Sequence, residues 1–226
     1  MGQLSLVATF AVAATSLVAC VSASMNAKPT GRDLRAAAAR GDAGEVKQLL
    51  DAGTPIDEVD ERGRSALLEA VEGGHTEAAT VLMDRGASVN VQAANLDTPW
   101  LQAGALGHTD ILRRMVDAQP DLSIRNRYGG NAMIPACERG HVDTVRFLLT
   151  TGIDVDHVNN LGWTGLLEAV ILGDGGADHQ QIVTLLLDAG ALPDLADKDG
   201  VTALAHARQK GQREVAAILE AHGAHG

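Results

Sequence analysis

Aromatic residues make up only 2% of this 226-residue chain, with two Trp, one Tyr and two Phe. A sandwich or barrel core is built from bulky β-formers. A sequence that is 46% hydrophobic yet so poor in rings must instead pack Ala, Leu and Val, which favours closely packed helices. Scarce aromatics also leave little for stacking on bases. Positive charge is short as well: the net charge is −11, so a phosphate backbone would be repelled over most of the surface. Nucleic acid is excluded as a partner. The two cysteines, Cys20 and Cys137, build neither a zinc cluster nor a disulfide scaffold. The chain also lacks a G-x-S-x-G elbow, an H-E-x-x-H pair and a Walker loop, so no nucleophile–base pair, catalytic residue or cofactor is assigned.

What is present falls into two parts. From Leu4 to Ala23 there is no charged residue, and the apolar stretch ends in small residues, the pattern of a secretory signal and not of a folded helix. Leu17-Val18-Ala19-Cys20 resembles a bacterial lipobox, which implies that Cys20 receives a lipid and becomes the mature N-terminus. Val21-Ser22-Ala23 would also serve an ordinary signal peptidase, and only Met1, Gly2 and Gln3 precede the apolar run, without the usual Lys or Arg. A start at Met25 would leave a cytosolic protein instead. The expected layout is a lipoprotein-type signal over 1–19, a tether over 20–30 and a folded domain over 31–226. That protein would be exported and lipid-anchored to the cell envelope, on an outer membrane facing the periplasm where the cell has one, or else soluble in the periplasm.

The remainder repeats itself. Gly63, Gly129 and Gly162 fall on a 33-residue lattice with Leu96 on the odd node, and Ala70, Ala103, Ala136 and Ala169 keep the same period. His75, His108 and His141 do so too, each preceded by glycine. After a five-residue insertion the lattice resumes with Gly190 and Gly223. Period and motif together resemble the ankyrin repeat: Ser65-Ala66-Leu67-Leu68-Glu69-Ala70 and Thr98-Pro99-Trp100-Leu101-Gln102-Ala103 stand for its T-P-L-H-x-A signature, without the His. Asn131 to Ala136, Thr164 to Ala169 and Thr202 to Ala207 continue the series. The resemblance implies an all-α repeat solenoid of stacked helix-turn-helix units with β-hairpin tips, in six repeats at 31–59, 60–92, 93–125, 126–158, 159–196 and 197–226.

Each lattice position has a physical reason. Ser65, Thr98, Asn131, Thr164 and Thr202 suit the N-cap of a first helix, and Gly74, Gly107 and Gly140 the left-handed turn that ends it. Leu49-Leu50, Val81-Leu82, Leu148-Leu149, Leu185-Leu186 and Ile218-Leu219 face the core from the second helix. No repeat buries its own apolar face, so neighbours complete one another. The middle repeats break the rules most often. Trp100 replaces a core Leu, Leu96 a turn glycine and Gln119-Pro120 a Gly-Ala helix end, while Pro135 sits inside a first helix where it loses a hydrogen bond. Such departures gather at functional or strained places.

In an ankyrin-like stack the hairpin tips and the outer side of each first helix line a concave surface that holds a partner. By position that surface carries Arg62, Asn95, Arg127, Tyr128, Asn160 and Trp163 at the tips, and Glu69, Gln102 and Glu168 on the helices. Tyr128 and Trp163 are the leading anchors, and Glu69, Glu72, Glu138 and Glu168 point to a partner with exposed Lys or Arg. The repeated histidines stand one repeat, about 10 Å, apart, too far to share a zinc bound at about 2.1 Å, and are read as structural. His222 and His225 are read as a frayed end, the loop Gly173 to Asp178 as a helix-to-helix connection without a calcium site, and Cys137 as a buried, inert thiol. The resulting expectation is a monomeric, non-catalytic module that binds an unidentified protein partner and touches membrane only through a lipid on Cys20. A carrier of a small ligand or metal in the groove and a cytosolic scaffold are the alternatives.

Overall fold

The computed structural model describes residues 28–225, which form twelve α-helices in six antiparallel pairs. The first helices are α1 (Gly31–Ala39), α3 (Ala66–Glu72), α5 (Pro99–Leu106), α7 (Met133–Glu138), α9 (Gly165–Ile171) and α11 (Ala203–Gln209). Their partners are α2 (Ala43–Asp51), α4 (Thr76–Asp84), α6 (Thr109–Met115), α8 (Val142–Leu148), α10 (Ala177–Asp188) and α12 (Arg213–Ala221). First helices pack on first helices and second on second, so the chain is an all-α solenoid. The expected hairpin tips are present as turns, each closed by two backbone hydrogen bonds such as Asn159 N–H to Trp163 C=O and Gly162 N–H to Asn159 C=O, both at 3.0 Å, and no strand occurs among the described residues.

Short helices of six to twelve residues are marginal alone, so caps and burial hold them. The side chains of Ser65, Thr98, Thr164 and Thr202 each accept the N–H three residues on, as the sequence predicts. Asn131 accepts from both Met133 and Ile134. In the other five repeats the residue four beyond the cap bonds back to the cap carbonyl, as Glu69 does to Ser65 at 3.1 Å; Pro135 has no N–H for this, and α7 starts one residue late.

Ala70, Ala103, Ala136 and Ala169 are no more than 1% exposed, which lets each helix pair approach its neighbours closely. Beside them Leu34, Leu67, Trp100, Met133, Leu166 and Leu204 form one buried column and Leu82, Met115, Leu148, Leu186 and Leu219 another. Of the paired apolar residues on the second helices, Leu82, Leu148, Leu186 and Leu219 are fully buried and the partner of each is half-buried; Leu49 and Leu50, at the end of the stack, are both half-buried.

The backbone turns left-handed at Gly74, Gly107 and Gly140 and again at Gly63, Gly129 and Gly162. The only two non-glycine residues with positive φ among the described ones are Leu96 (66°) and Gln119 (55°), both at positions that depart from the lattice. A side chain there costs about 1–2 kcal/mol, so repeat three carries strain its neighbours avoid. Asn90 holds the second of these bends from the preceding loop, accepting from Asp121 N–H (2.8 Å) and donating to Gln119 C=O (3.2 Å).

Candidate partner-binding face

A turn residue organises most tips. One carboxylate or amide oxygen of Asp60, Asn126, Asn159 and Asp197 accepts two backbone N–H groups of its own turn, those of Leu161 and Trp163 in the case of Asn159. Ala93 occupies this slot in repeat three, where Asn95 bonds Asp97 instead. Successive tips are tied together, Ala94 N–H to Arg62 C=O and Asn160 N–H to Tyr128 C=O, both at 2.8 Å. Between repeats three and four the Gln92 amide bridges the carbonyls of Leu96 and Arg125, and Arg127 approaches Asp97 at 3.8 Å.

This row of tips changes character along the stack. Arg62 and Asn95 are exposed and polar, whereas Leu96 (44%), Tyr128 (54%) and Leu161 (50%) leave large apolar side chains in solvent at three adjacent repeats. The Arg127 guanidinium lies 4.8 Å from the centre of the Tyr128 ring, which holds that ring in place by a cation–π contact. Asn160 is exposed beside them, and Trp163 is half-buried, packed against the core on one side. Gln102 is half-buried on α5. Leu96 and Leu161 were not singled out from sequence as contact residues; the signal was the apolar residue standing at a turn that is polar in repeats two and six.

The carboxylates on the helices are not the open acidic surface expected. Arg64 closes on both Glu69 (2.8 Å) and Glu72, so that pair carries its own counter-ion. Glu168 is only 4% exposed; Asn159 Nδ2 donates to its Oε1 at 2.8 Å, while burial, with Glu138 nearby, raises its carboxyl to about 7. Repeat six makes the equivalent contact with the roles exchanged, His206 Nε2 donating to Asp197 Oδ2 at 2.7 Å.

The recurring histidines form a ladder of hydrogen bonds. His75 Nε2 bonds the Ala39 carbonyl at 3.0 Å, while His108 and His141 keep the same place in their repeats and the Ala105 carbonyl accepts from the Arg139 guanidinium at 2.6 Å. Burial pushes the His108 and His141 rings below the usual histidine range. His179, displaced by the insertion, reaches Glu138 C=O at 3.0 Å, and Gln212 takes the slot in repeat six, bonding Val170 and Gly173. The insertion connects α9 to α10, with Asp174 accepting from His179 at 2.8 Å. His222 and His225 are not frayed as expected but bonded to Asp188 and Asp194 of the preceding repeat. Cys137 is fully buried and its thiol is pushed far up by desolvation.

No group of three or more His, Cys, Asp or Glu able to hold a metal occurs among the described residues. A cavity of about 710 Å³ opens between second helices, lined by Thr76, Thr80, Arg113 and Arg114, away from the tips. No helix among the described residues is long and apolar enough to cross a membrane, and Cys20 with the expected signal lies outside the described residues.

Comparison with known proteins agrees with this geometry. The chain is 40% identical over 201 residues to the ankyrin repeat protein YahD of Escherichia coli (strain K12), covering 88% of this chain and 100% of that one. An ankyrin repeat domain from Acinetobacter baumannii AYE superposes with a TM-score of 0.82 at 52% identity, over 85% of this chain and 98% of that one. The ankyrin repeat protein EF0377 gives 0.81 at 45% identity, over 84% and 97%. The family model described as ankyrin repeats (3 copies) matches residues 13–93, 34–126 and 100–197. The chain therefore belongs to the ankyrin repeat family.

Proposed function

We propose that the protein is a non-catalytic protein-binding module whose partner lies along the tips and first helices of repeats three to five. The observation that carries this reading is the run of exposed Leu96, Tyr128 and Leu161 in consecutive repeats, next to the half-buried Trp163. Isolated surface apolar groups need no explanation, but a contiguous row on one edge of a rigid stack marks a contact surface. Aromatic anchors supply most of the energy of such contacts. Crosslinked capture from an envelope fraction tests it. The wild-type chain retains a specific protein that the Tyr128→Ala, Trp163→Ala double variant loses, and equal recovery by both contradicts the proposal.

The place of action proposed is the cell envelope, with Cys20 as the lipidated residue; the support is Leu17-Val18-Ala19-Cys20 at the end of the apolar run. Metabolic labelling with a fatty-acid probe should mark the wild type and not Cys20→Ser. A labelled Cys20→Ser variant would contradict the assignment.

A further inference from the structure

Of the eight histidines in the chain, His179 and His222 bond through both ring nitrogens. His179 Nδ1 lies 2.8 Å from Asp174 Oδ1, and its Nε2 lies 3.0 Å from the Glu138 carbonyl. His222 Nδ1 lies 2.8 Å from the Ile218 carbonyl, and its Nε2 lies 3.2 Å from Asp188 Oδ1. All four partners are acceptors. A neutral imidazole carries one N–H, so it serves one such partner and turns a lone pair on the other. The imidazolium serves both. His75, His157, His206 and His225 each bond through one ring nitrogen, which a neutral ring satisfies.

The insertion creates the first of these two cases. His179 reaches back to a carbonyl of the preceding repeat as His75 does, and the inserted loop adds Asp174 at its other nitrogen. The Gly176 N–H and His179 itself hold the Asp174 carboxyl below the usual carboxylate range, so it stays an acceptor. The His179 side chain is 11% exposed, which leaves water little access to replace a missing donor. His222 stands at the end of α12 and joins it to α10; the Ile218 carbonyl and Asp188 raise it above the usual histidine range.

Other charged groups surround both rings. The elements packed on His179 carry Glu138 on α7, Arg139 turned to the Ala105 carbonyl, Asp143 on α8 and Asp178 on α10. From repeat six come Arg213 and Glu214 of α12 and Lys210, which bonds the Gly173 carbonyl at 3.0 Å. Lys210 weighs against a second positive charge on the ring, and the bonded Asp174 offsets it. Around His222, Arg208 of α11 is paired with Glu220, and His225 and His206 are paired with Asp194 and Asp197. Glu168 on α9 acts in the same sense as the two rings, since burial raises it to about 7 and it takes up a proton as pH falls. His108 and His141, lowered by burial, act in the opposite sense in repeats three and four.

We infer that repeats five and six form a pH-sensitive end of the solenoid, held to repeat four while His179 and His222 carry a proton on each ring nitrogen and loosened when either ring loses one. His179 fastens repeat five to repeat four, and His222 fastens repeat six to repeat five. The switch does not depend on the partner role proposed above, although Leu161 and Trp163 are carried by repeat five.

Because the histidines of the middle repeats oppose it, global stability is a blunt readout, and amide hydrogen exchange of the full chain reads each repeat separately. Rates are corrected for the intrinsic pH dependence of exchange and compared at about pH 5.5 and about pH 8, either side of the ordinary histidine range. All chains carry Glu168→Gln, which removes that carboxyl from the comparison. Protection in α10 and α12 should fall about tenfold at the higher pH, the loss of one charged hydrogen bond at each ring. His179→Gln and Asp174→Asn should each abolish the fall in α10. An amide at position 174 accepts from a charged ring and donates to a neutral one, and the Asp174 side chain is 79% exposed, so the fold is kept. His222→Gln should shrink the fall in α12 and leave that in α10, while His75→Gln changes neither. Equal protection at the two pH values, or a fall in α10 that survives both His179→Gln and Asp174→Asn, would overturn the inference. A fall in α12 untouched by His222→Gln would overturn the part given to His222.

Discussion

Asn159 Nδ2 donates to Glu168 Oε1 at 2.8 Å across nine residues of chain, fastening the tip of repeat five to its first helix. Asp197 and His206 make the same connection one repeat later with donor and acceptor exchanged. Because the tip must hold still for a partner to read it, these pairs connect turn chemistry to the binding face. They also place a carboxyl group where water hardly reaches.

That burial has a sign. The folded-state pKa of Glu168, about 7, lies above the ordinary glutamate value, so the unfolded chain releases this proton first as pH rises. The stability contribution is complete below the ordinary value near 4.5 and is lost as pH climbs through about 7. Chemical denaturation of wild type and Glu168→Gln should therefore run together near pH 4 and diverge by pH 8, with the Gln variant more stable by about 1–3 kcal/mol. A gap that does not change with pH would contradict the burial and the Glu138 repulsion together.

Leu96 is held at a φ of 66°, where its four counterparts in repeats two, four, five and six are glycines. Leu96→Gly is expected to raise stability by about 0.5–1 kcal/mol, the strain relieved less the added freedom of the unfolded chain. The same change removes an apolar contact at the tip, so partner capture should fall while the melting temperature rises. A parallel change in both would show that Leu96 is only a structural residue.

The histidine ladder can be exchanged for its own alternative. His75→Ala removes the donor to the Ala39 carbonyl and should cost about 0.5–1.5 kcal/mol. His75→Gln should recover part of that loss, since Gln212 performs the equivalent bond in repeat six. Equal destabilisation by both, measured in urea, would count against the hydrogen bond as the reason for histidine here.

Leu148 is fully buried in α8, between repeats. Leu148→Ala should cost about 2–5 kcal/mol, with the transfer and cavity contributions together. Hydrogen exchange should accelerate in α8 and in its neighbours α6 and α10, because each repeat depends on those beside it. Acceleration confined to α8 would contradict shared stability.

Repetition made most of this fold readable before any coordinates. A position that recurs every 33 residues reports its own role, which is why the caps, the Ala column, the glycine turns and even the strained Leu96 and Gln119 fall where the lattice puts them. What repetition hid were the contacts that differ from one repeat to the next. Glu69 looked free because nothing local announces that Arg64 reaches it, and Glu168 looked exposed because its slot is half-open in repeat two. His179 escaped notice because the insertion removes its preceding glycine and shifts its spacing, and Gln212 because another residue type makes the bond. The offset of nine residues shared by Asn159–Glu168 and Asp197–His206 was present in the sequence as a matched pair of polar residues, and could have been read there.

The partner face is tested most directly by placing a photo-crosslinking residue at Tyr128, and separately at Arg114 on the second-helix side, in cells that make the protein. The account predicts a discrete protein adduct from position 128, lost when Trp163→Ala is added, and none of the same mass from position 114. Adducts of equal yield at both positions, or an adduct from position 114 alone, would contradict it.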